Sequence, residues 1–322
     1  MKPSPLGILP HYHHEGGSGH GPTIRSVLAH MPQRDWDEAG VRLYLNRSPD
    51  GHRTCFDKVR MVAHARIQPS KNLTAATALE QAIDELAQEN RRAAIALSGG
   101  LDSALVLAML RARGRDDIPV VTLVSSLPGY CEWPTTKEAA NTLGVHDLRP
   151  IEVSADDFIT AFPQAITAAE CPLFNLHPVS RWLLANQLRA QGIEVLITGD
   201  GADQVFAGSD PRNYLPIVGA LTRAAGLELR SPFLDERVMA SAPSPSSDKA
   251  ALRGIARTYL PSHSAQGAKR GTYTPPLDVS AHWRAEAITS LSNRLHTPAP
   301  QPGSSPESVL WTSLGILSDL LH

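Results

Sequence analysis

Cysteine is scarce in this chain: Cys55, Cys131 and Cys171 are the only three among 322 residues. They lie far apart, lack the paired spacing of a zinc site, and an odd number cannot all pair with one another. Neither a disulfide framework nor a zinc ribbon is expected, and a reducing, cytoplasmic setting fits. An excess of one charge is also missing. The 30 basic and 32 acidic residues give a net charge of -2 and a pI near 6.7, so nothing calls for a nucleic-acid partner. No apolar run reaches the roughly 18 residues of a membrane helix. Pro3, Pro5 and Pro10 interrupt the place where an export signal would need unbroken apolar sequence. A membrane partner is therefore not expected. What is present is a globular composition, 42% hydrophobic and 19% charged, with length for one large domain and a smaller appended part.

Residues 1–22 combine Pro and Gly with His11, His13, His14 and His20, a composition that predicts a mobile arm. Three clustered imidazoles (His11, His13, His14) would chelate a metal weakly without neighbours to orient them. Residues 40–47 and 58–67 alternate apolar and polar side chains around the turn Ser48-Pro49-Asp50-Gly51, which predicts two half-buried strands. Residues 1–73 thus read as an arm and a short β-rich piece. Residues 74–89 then place Ala78, Leu79, Ala82, Ile83 and Leu86 on one helical face, with Thr74 or Thr77 as cap.

From Ala93 onward strands and helices alternate. Strands are predicted at 93–97, 119–125, 148–153 and 194–198, and helices at 101–113, 136–143, 155–167 and 179–191. The pattern predicts an α/β fold: an open parallel sheet with helices on both faces, binding its ligand at the carboxyl ends of the strands. Asp156 and Asp157 read as dipole partners at a helix start. Beyond Gly208 the strand signal fades into helices broken by proline. Residues 231–235 form a turn, 249–259 a basic helix, 297–305 a linker and 309–321 an apolar-faced helix around Trp311, Leu314 and Leu317 that docks on its own domain.

Two glycine-rich clusters fall at strand ends. In Leu97-Ser98-Gly99-Gly100-Leu101-Asp102-Ser103, a turn joins a strand to a helix N-terminus, where unpaired N–H groups and a partial positive charge favour a phosphate. Asp102 would repel that phosphate unless a cation lay between them; alternatively it is an ordinary helix cap. The second cluster is Gly199-Asp200-Gly201-Ala202-Asp203. Asp102 and Asp203 sit at equivalent ends of strands in one sheet and can converge. Mg²⁺ held by one or two carboxylates together with phosphate oxygens would remove the objection to Asp102. A tight surface loop is the alternative. Lys249, Arg253, Lys269 and Arg270 could counter the charge of a leaving pyrophosphate, or form a solvated basic face.

Together these stretches resemble the asparagine synthetase family. Ser98–Ser103 is similar to its ATP-pyrophosphatase loop, and Gly199–Asp203 with Val205-Phe206-Ala207-Gly208 is similar to its second signature. Arg230-Ser231-Pro232-Phe233-Leu234-Asp235 resembles its Pro-Phe-Leu-Asp element, and Lys249 with Leu252-Arg253 its Lys-x-x-Leu-Arg helix. Lys269 stands where the family has its pyrophosphate-binding lysine. The resemblance implies an adenine-nucleotide α-hydrolase-like domain over residues 74–296, followed by the linker and helix of 297–322. It implies that Leu97, Ser98, Gly99, Gly100, Asp102, Ser103, Gly199 and Lys249 hold ATP or pyrophosphate, with Leu123, Val124 and Ser125 beside adenine and Glu132 in the same pocket. It further implies Mg²⁺ on Asp102 and Asp203, and catalytic roles for Lys269 and for Asp200, which stands where relatives carry a Glu or Tyr.

Three departures shape the expectation. Lys2 stands where glutamine-hydrolysing relatives have a nucleophilic cysteine, Gln204 replaces an acid, and Gly267 replaces an arginine. By this resemblance the chain is an ATP- and Mg²⁺-dependent amide ligase of specialised metabolism, similar to β-lactam synthetases. It would adenylate a small-molecule or peptide carboxylate and couple it to an amine without hydrolysing glutamine. A macrolactam-forming peptide cyclase of the lasso type and a non-catalytic nucleotide-binding homologue remain as alternatives. A pathway protein or a second copy of the chain stays open as a partner.

Overall fold

The computed structural model describes residues 4–63, 67–70, 72–127, 129–212, 214–261 and 276–322. At its amino end, strands β1 (Tyr12–His14), β2 (His20–Gly21) and β3 (Val59–Met61) form an antiparallel sheet in the order β2-β1-β3. Helices α1 (Ile24–Leu28) and α2 (Glu38–Leu45) lie between β2 and β3. Two expectations are corrected here. Tyr12–His14 and His20–Gly21 of the predicted arm are paired strands, and residues 40–47, predicted as a strand, mostly form α2. Asp37 caps that helix by accepting from the Gly40 N–H at 2.9 Å. Val41, Tyr44 and Leu45 then fall at helical spacing and join a core with residues from α12 (Ala285–Leu295) and α13 (Pro306–Leu317).

The body of the chain alternates as its apolar runs require. In order come α3 (Ala75–Ala87), β4 (Ala93–Ala96), α4 (Leu101–Arg111), β5 (Val120–Ser125), α5 (Trp133–Thr142), β6 (Leu148–Val153), α6 (Ala155–Ala169), α7 (His177–Ala190) and β7 (Val195–Ile197). After them lie α8 (Ala202–Ala207), α9 (Leu215–Ala224), β8 (Glu228–Arg230), α10 (Glu236–Ser241) and α11 (Ala250–Tyr259). Strands β6-β5-β4-β7-β8 make one five-stranded sheet in which every pairing is parallel. Alternate residues serve opposite faces, as the twofold repeat of a strand demands. Ile95, Val120, Val195 and Ile197 pack under α3, α4 and α11, while Ala94, Val121, Ile151 and Leu196 pack against Leu184 and Leu188 of α7. The sheet is thus covered on both sides.

Strand β8 had no sequence signal because Glu-Leu-Arg at an edge is polar; it is recruited by pairing with β7. Asp157 acts at a helix start as predicted, closing a capping box with Ser154. Helix α13 docks on its own chain, with Trp311 and Leu314 buried against α6 and α12. Among the described residues no helix is long and apolar enough to cross a membrane, and no group of three or more His, Cys, Asp or Glu side chains is arranged to hold a metal.

Leu314 is 0% exposed. Truncating it to alanine leaves a cavity where the first and last parts of the chain meet. Leu314→Ala should therefore cost about 3 kcal/mol in urea unfolding, and a loss under about 0.5 kcal/mol would mean that α13 is not part of the core.

Candidate active site

Strand order places the two glycine clusters side by side. β4 and β7 are neighbours, and the chain leaves β4 toward β5 and β6 on one side but returns to β7 and β8 on the other. The crevice beyond the carboxyl ends of β4 and β7 is thus the switch point of the sheet, where open α/β folds bind ligands. Ser98–Ser103 comes out of β4 and Gly199–Asp203 out of β7. Gly199 is required by their approach: a Cβ there would lie 2.9 Å from the Asp102 Cβ and 2.9 Å from the Ser103 nitrogen. Gly99 has φ +70° and a Cβ there would meet the Thr136 nitrogen at 2.9 Å, so the loop rests on the first turn of α5. Gly100, itself exposed, opens α4 with no side-chain cap hydrogen bond.

Asp102 and Asp203 converge, and a cation already joins them. Lys249 Nζ lies 2.8 and 2.6 Å from the two carboxylate oxygens of Asp102 and 2.8 Å from Asp203 Oδ1. The ammonium is 10% exposed and the two acids 25% and 27%. Lys249 reaches them from a left-handed backbone position (φ +55°) at the start of α11. Two carboxylates and a removable ammonium suit a hard divalent ion sharing phosphate oxygens, so the donor set fits Mg²⁺.

Other predicted residues take distinct places. The Ser103 hydroxyl accepts from the Ser98 N–H at 3.1 Å and meets the Ser98 hydroxyl at 3.1 Å, holding the loop closed. Leu97 lies just past the end of β4: its N–H donates to the Val121 carbonyl and its side chain is buried. Leu123 and Val124 are half-buried near the end of β5, whereas Ser125 is buried and accepts from the Leu127 N–H. Glu132 stands at the N-cap position of α5 without a side-chain capping bond, and burial holds its carboxyl above the usual range. Lys269, with Gly267 and Arg270, lies outside the described residues.

Asp200 does not face Lys249. Its Oδ2 accepts from Arg181 Nη2 at 2.9 Å and from the Thr198 hydroxyl at 2.8 Å, in an ion pair whose side chains are 11% and 9% exposed. Three aromatic residues adjoin this pair. His177 Nδ1 lies 2.9 Å from the Tyr130 hydroxyl, its ring stacks on Tyr214 at 5.9 Å, and Tyr214 interacts with the Arg181 guanidinium. Burial, reinforced by the Arg181 charge, pulls the His177 pKa down to about 4, so the imidazole is neutral at pH 7. Sequence reasoning missed Tyr130, Thr136, His177, Arg181 and Tyr214, which carry no motif spacing. Two of them hold buried polar atoms without a partner among the described residues: Thr136 Oγ1, beside the Ser98–Ser103 loop, and Arg181 Nη1.

Removing the bridging ammonium leaves two close carboxylates uncompensated. Lys249→Met should lose about 1–3 kcal/mol of stability and regain most of it with millimolar Mg²⁺, read as a rise in melting temperature that the wild type does not match. Equal Mg²⁺ responses would contradict a cation site there. His177 gives a second expectation. Its folded pKa lies below the ordinary value of 6.5, so the unfolded chain binds the proton first and stability falls as pH drops from about 6.5 to about 4. In His177→Gln the fall should be smaller, measured as urea midpoints at pH 7 and pH 5; unchanged slopes would place the imidazole in water.

The asparagine synthase family model matches residues 74–219. An amidase, chyE, of Penicillium rubens is 34% identical over 131 residues, covering 36% of this chain and 19% of that protein. A putative glutamine-hydrolysing asparagine synthetase of Mycobacterium tuberculosis is 28% identical over 129 residues, covering 37% and 19%. The tRNA-specific 2-thiouridylase MnmA of Trichlorobacter lovleyi is 35% identical over 118 residues, covering 34% and 33%. The matched stretch is thus about a fifth to a third of these relatives' length. Among solved structures, NMN synthetase from Francisella tularensis superposes with a TM-score of 0.39 at 15% identity, covering 72% of this chain and 99% of that one. The span matched by the asparagine synthase family model, residues 74–219, contains both glycine clusters and the neighbouring strands β4 and β7 that bring them together.

Proposed function

We propose that this chain is an ATP-dependent carboxylate–amine ligase that works through an acyl-adenylate. The observation that carries the reading is the convergence of Asp102 and Asp203 on one cation at the foot of an open glycine loop, in the switch-point crevice of a parallel sheet.

In the proposed reaction a substrate carboxylate oxygen attacks the α-phosphorus of ATP, the bond to pyrophosphate breaks, and the acid becomes the mixed acyl–phosphate anhydride of AMP. An amine nitrogen then attacks the acyl carbon, AMP leaves with the electron pair, and the amine proton passes to solvent or a nearby base. The uncapped N–H groups at the start of α4 and the Ser98 hydroxyl would hold phosphate oxygens. Lys249 would move from the carboxylates toward phosphate, and Lys269, by the resemblance, would counter charge on the leaving pyrophosphate. Mg²⁺ on Asp102 and Asp203 would supply further neutralisation of that charge. Holding acid and amine together in the crevice would supply much of the second step. Substrates with roles in specialised metabolism, and a cytoplasmic location, belong to the same reading.

ATP–pyrophosphate exchange over a panel of carboxylic acids tests the proposal. Exchange should require an acid and fall by about two orders of magnitude in Asp102→Ala and in Lys269→Ala, each of which removes charge compensation at the phosphates. Nucleotide binding with no AMP formed from any acid and amine pair would point instead to a non-catalytic homologue. Product mass would separate a lactam or macrolactam from an intermolecular amide.

A further inference from the structure

We propose that His11, His13 and His20 form a site for a divalent transition-metal ion of the Zn²⁺ class on the outer face of the amino-terminal sheet. The site is built from residues that take no part in the crevice, so it stands or falls apart from the ligase reading.

Strand pairing places the three imidazoles. Side chains along β1 alternate between faces, so Tyr12 enters the core while His11 and His13 turn to the other face, where both are half-buried. His11 extends the ladder just before β1, its carbonyl accepting from the Val62 N–H at 2.7 Å. His20 of β2 stands opposite His13. The next residue pair carries a ladder hydrogen bond, from the His14 N–H to the Gly19 carbonyl at 2.7 Å. His13 and His20 therefore occupy a non-hydrogen-bonded position, where side chains of neighbouring strands come closest. Two imidazoles two residues apart on one strand and a third across on its antiparallel neighbour make a triangle over one face of the sheet. Three imidazoles and a water are a tetrahedral ligand set for Zn²⁺. His14, which sequence spacing groups with His11 and His13, alternates to the opposite face and packs over Gly17 in the turn, so His20 takes its place.

Ring positions are close to what an ion needs. The His11 and His20 centroids are 5.7 Å apart, and two imidazoles bound to one ion at about 2.0–2.1 Å per nitrogen bring their centroids to roughly 5 Å. The His13 ring leans toward His52, with centroids 6.3 Å apart, and among the described residues no three such side chains yet surround one point. A turn of the half-buried His13 about its Cα–Cβ bond is the rearrangement the site requires. Burial, reinforced by His20 and then by Arg223, lowers the His11 pKa, so at pH 7 this ring is the neutral form that coordinates metal. Arg60, opposite His13 on β3, is balanced by Glu15 at 2.8 Å and Asp37 at 3.0 Å. Arg223 donates to the carbonyls of Pro10 and Pro22, fixing the chain just before β1 and just after β2. Strand β2 is two residues long, and an ion joining His20 to β1 would hold it in register.

Isothermal titration of the intact chain with Zn²⁺ at pH 7.0, the probe being the metal alone, tests the site. A saturable site should appear with a Kd of about 10 µM or tighter. His11→Gln, His13→Gln and His20→Gln should each weaken it by about tenfold or more, whereas His14→Gln and His52→Gln should stay within about threefold of wild type. His20 is exposed, so its variant leaves the packing of the sheet in place and carries the test if either half-buried histidine proves necessary for folding. The melting temperature should rise with Zn²⁺ in wild type and not in His20→Gln. Lack of a saturable site at this affinity would overturn the inference, as would binding that survives in His20→Gln. Binding lost in His52→Gln but kept in His11→Gln would place the ion on another pair of rings, and binding lost only in Asp102→Ala would place it in the crevice; either result overturns the assignment to these three histidines.

Discussion

The ammonium of Lys249 between Asp102 and Asp203 is the contact on which the organisation of the crevice depends. Each carboxylate comes from a different strand end, and the lysine comes from α11, beyond the last strand. Close approach of the two loops is enforced by backbone packing at Gly199, where no side chain fits. That approach brings two negative charges together in a half-buried setting, and a positive charge must meet them. One ammonium thus ties three distant segments to one point. The same point is where an open parallel sheet exposes its strand ends on both sides of the switch. Fold and charge constraint therefore select the same location.

How much of this was legible in the sequence follows from where the information resides. The central strands are continuous apolar runs closed by glycine turns, and their identity needs no distant partner; 148–153 was read at its true limits. Residues 40–47 carry both periodicities at once. The choice of helix rests on Asp37 as a cap and on a core shared with α12 and α13, some 250 residues away. Strand β8 is an edge strand of Glu, Leu and Arg, held by hydrogen bonding to β7, and such pairing leaves no mark on composition. The convergence of the two glycine clusters and of Asp102 with Asp203 was legible because glycine, serine and aspartate at strand ends mark tight turns locally.

The aromatic cluster around Arg181 is the opposite case. Tyr130 follows β5, His177 opens α7, Asp200 follows β7 and Tyr214 precedes α9. These four positions share no sequence neighbourhood and meet because three connections return to one sheet edge. Arg181 in isolation is a basic residue on a helix, indistinguishable from Arg189 two turns later. Only the fold separates them: Arg189 donates to the main chain of Ile193, whereas Arg181 meets a buried carboxylate.

Asp200 and Asp203 show how one short turn serves both halves of the crevice. Gly201 between them has φ +94°, a left-handed conformation that favours glycine. Through it the chain reverses direction between two acids that would otherwise compete for one cation. Asp203 meets Lys249 on the side of the Ser98–Ser103 loop, and Asp200 meets Arg181 on the side of the Tyr130, His177 and Tyr214 rings. Neither cation bridges the two acids in the described contacts, so each charge is compensated where it stands. A side chain at 201 would also press on Leu234, whose Cδ2 lies 2.6 Å from the position of an added Cβ. The Pro-Phe-Leu-Asp element therefore packs beneath the turn as its support. In this way a turn with the composition of an ordinary surface loop separates the Lys249 ion pair from the Arg181 ion pair within four residues.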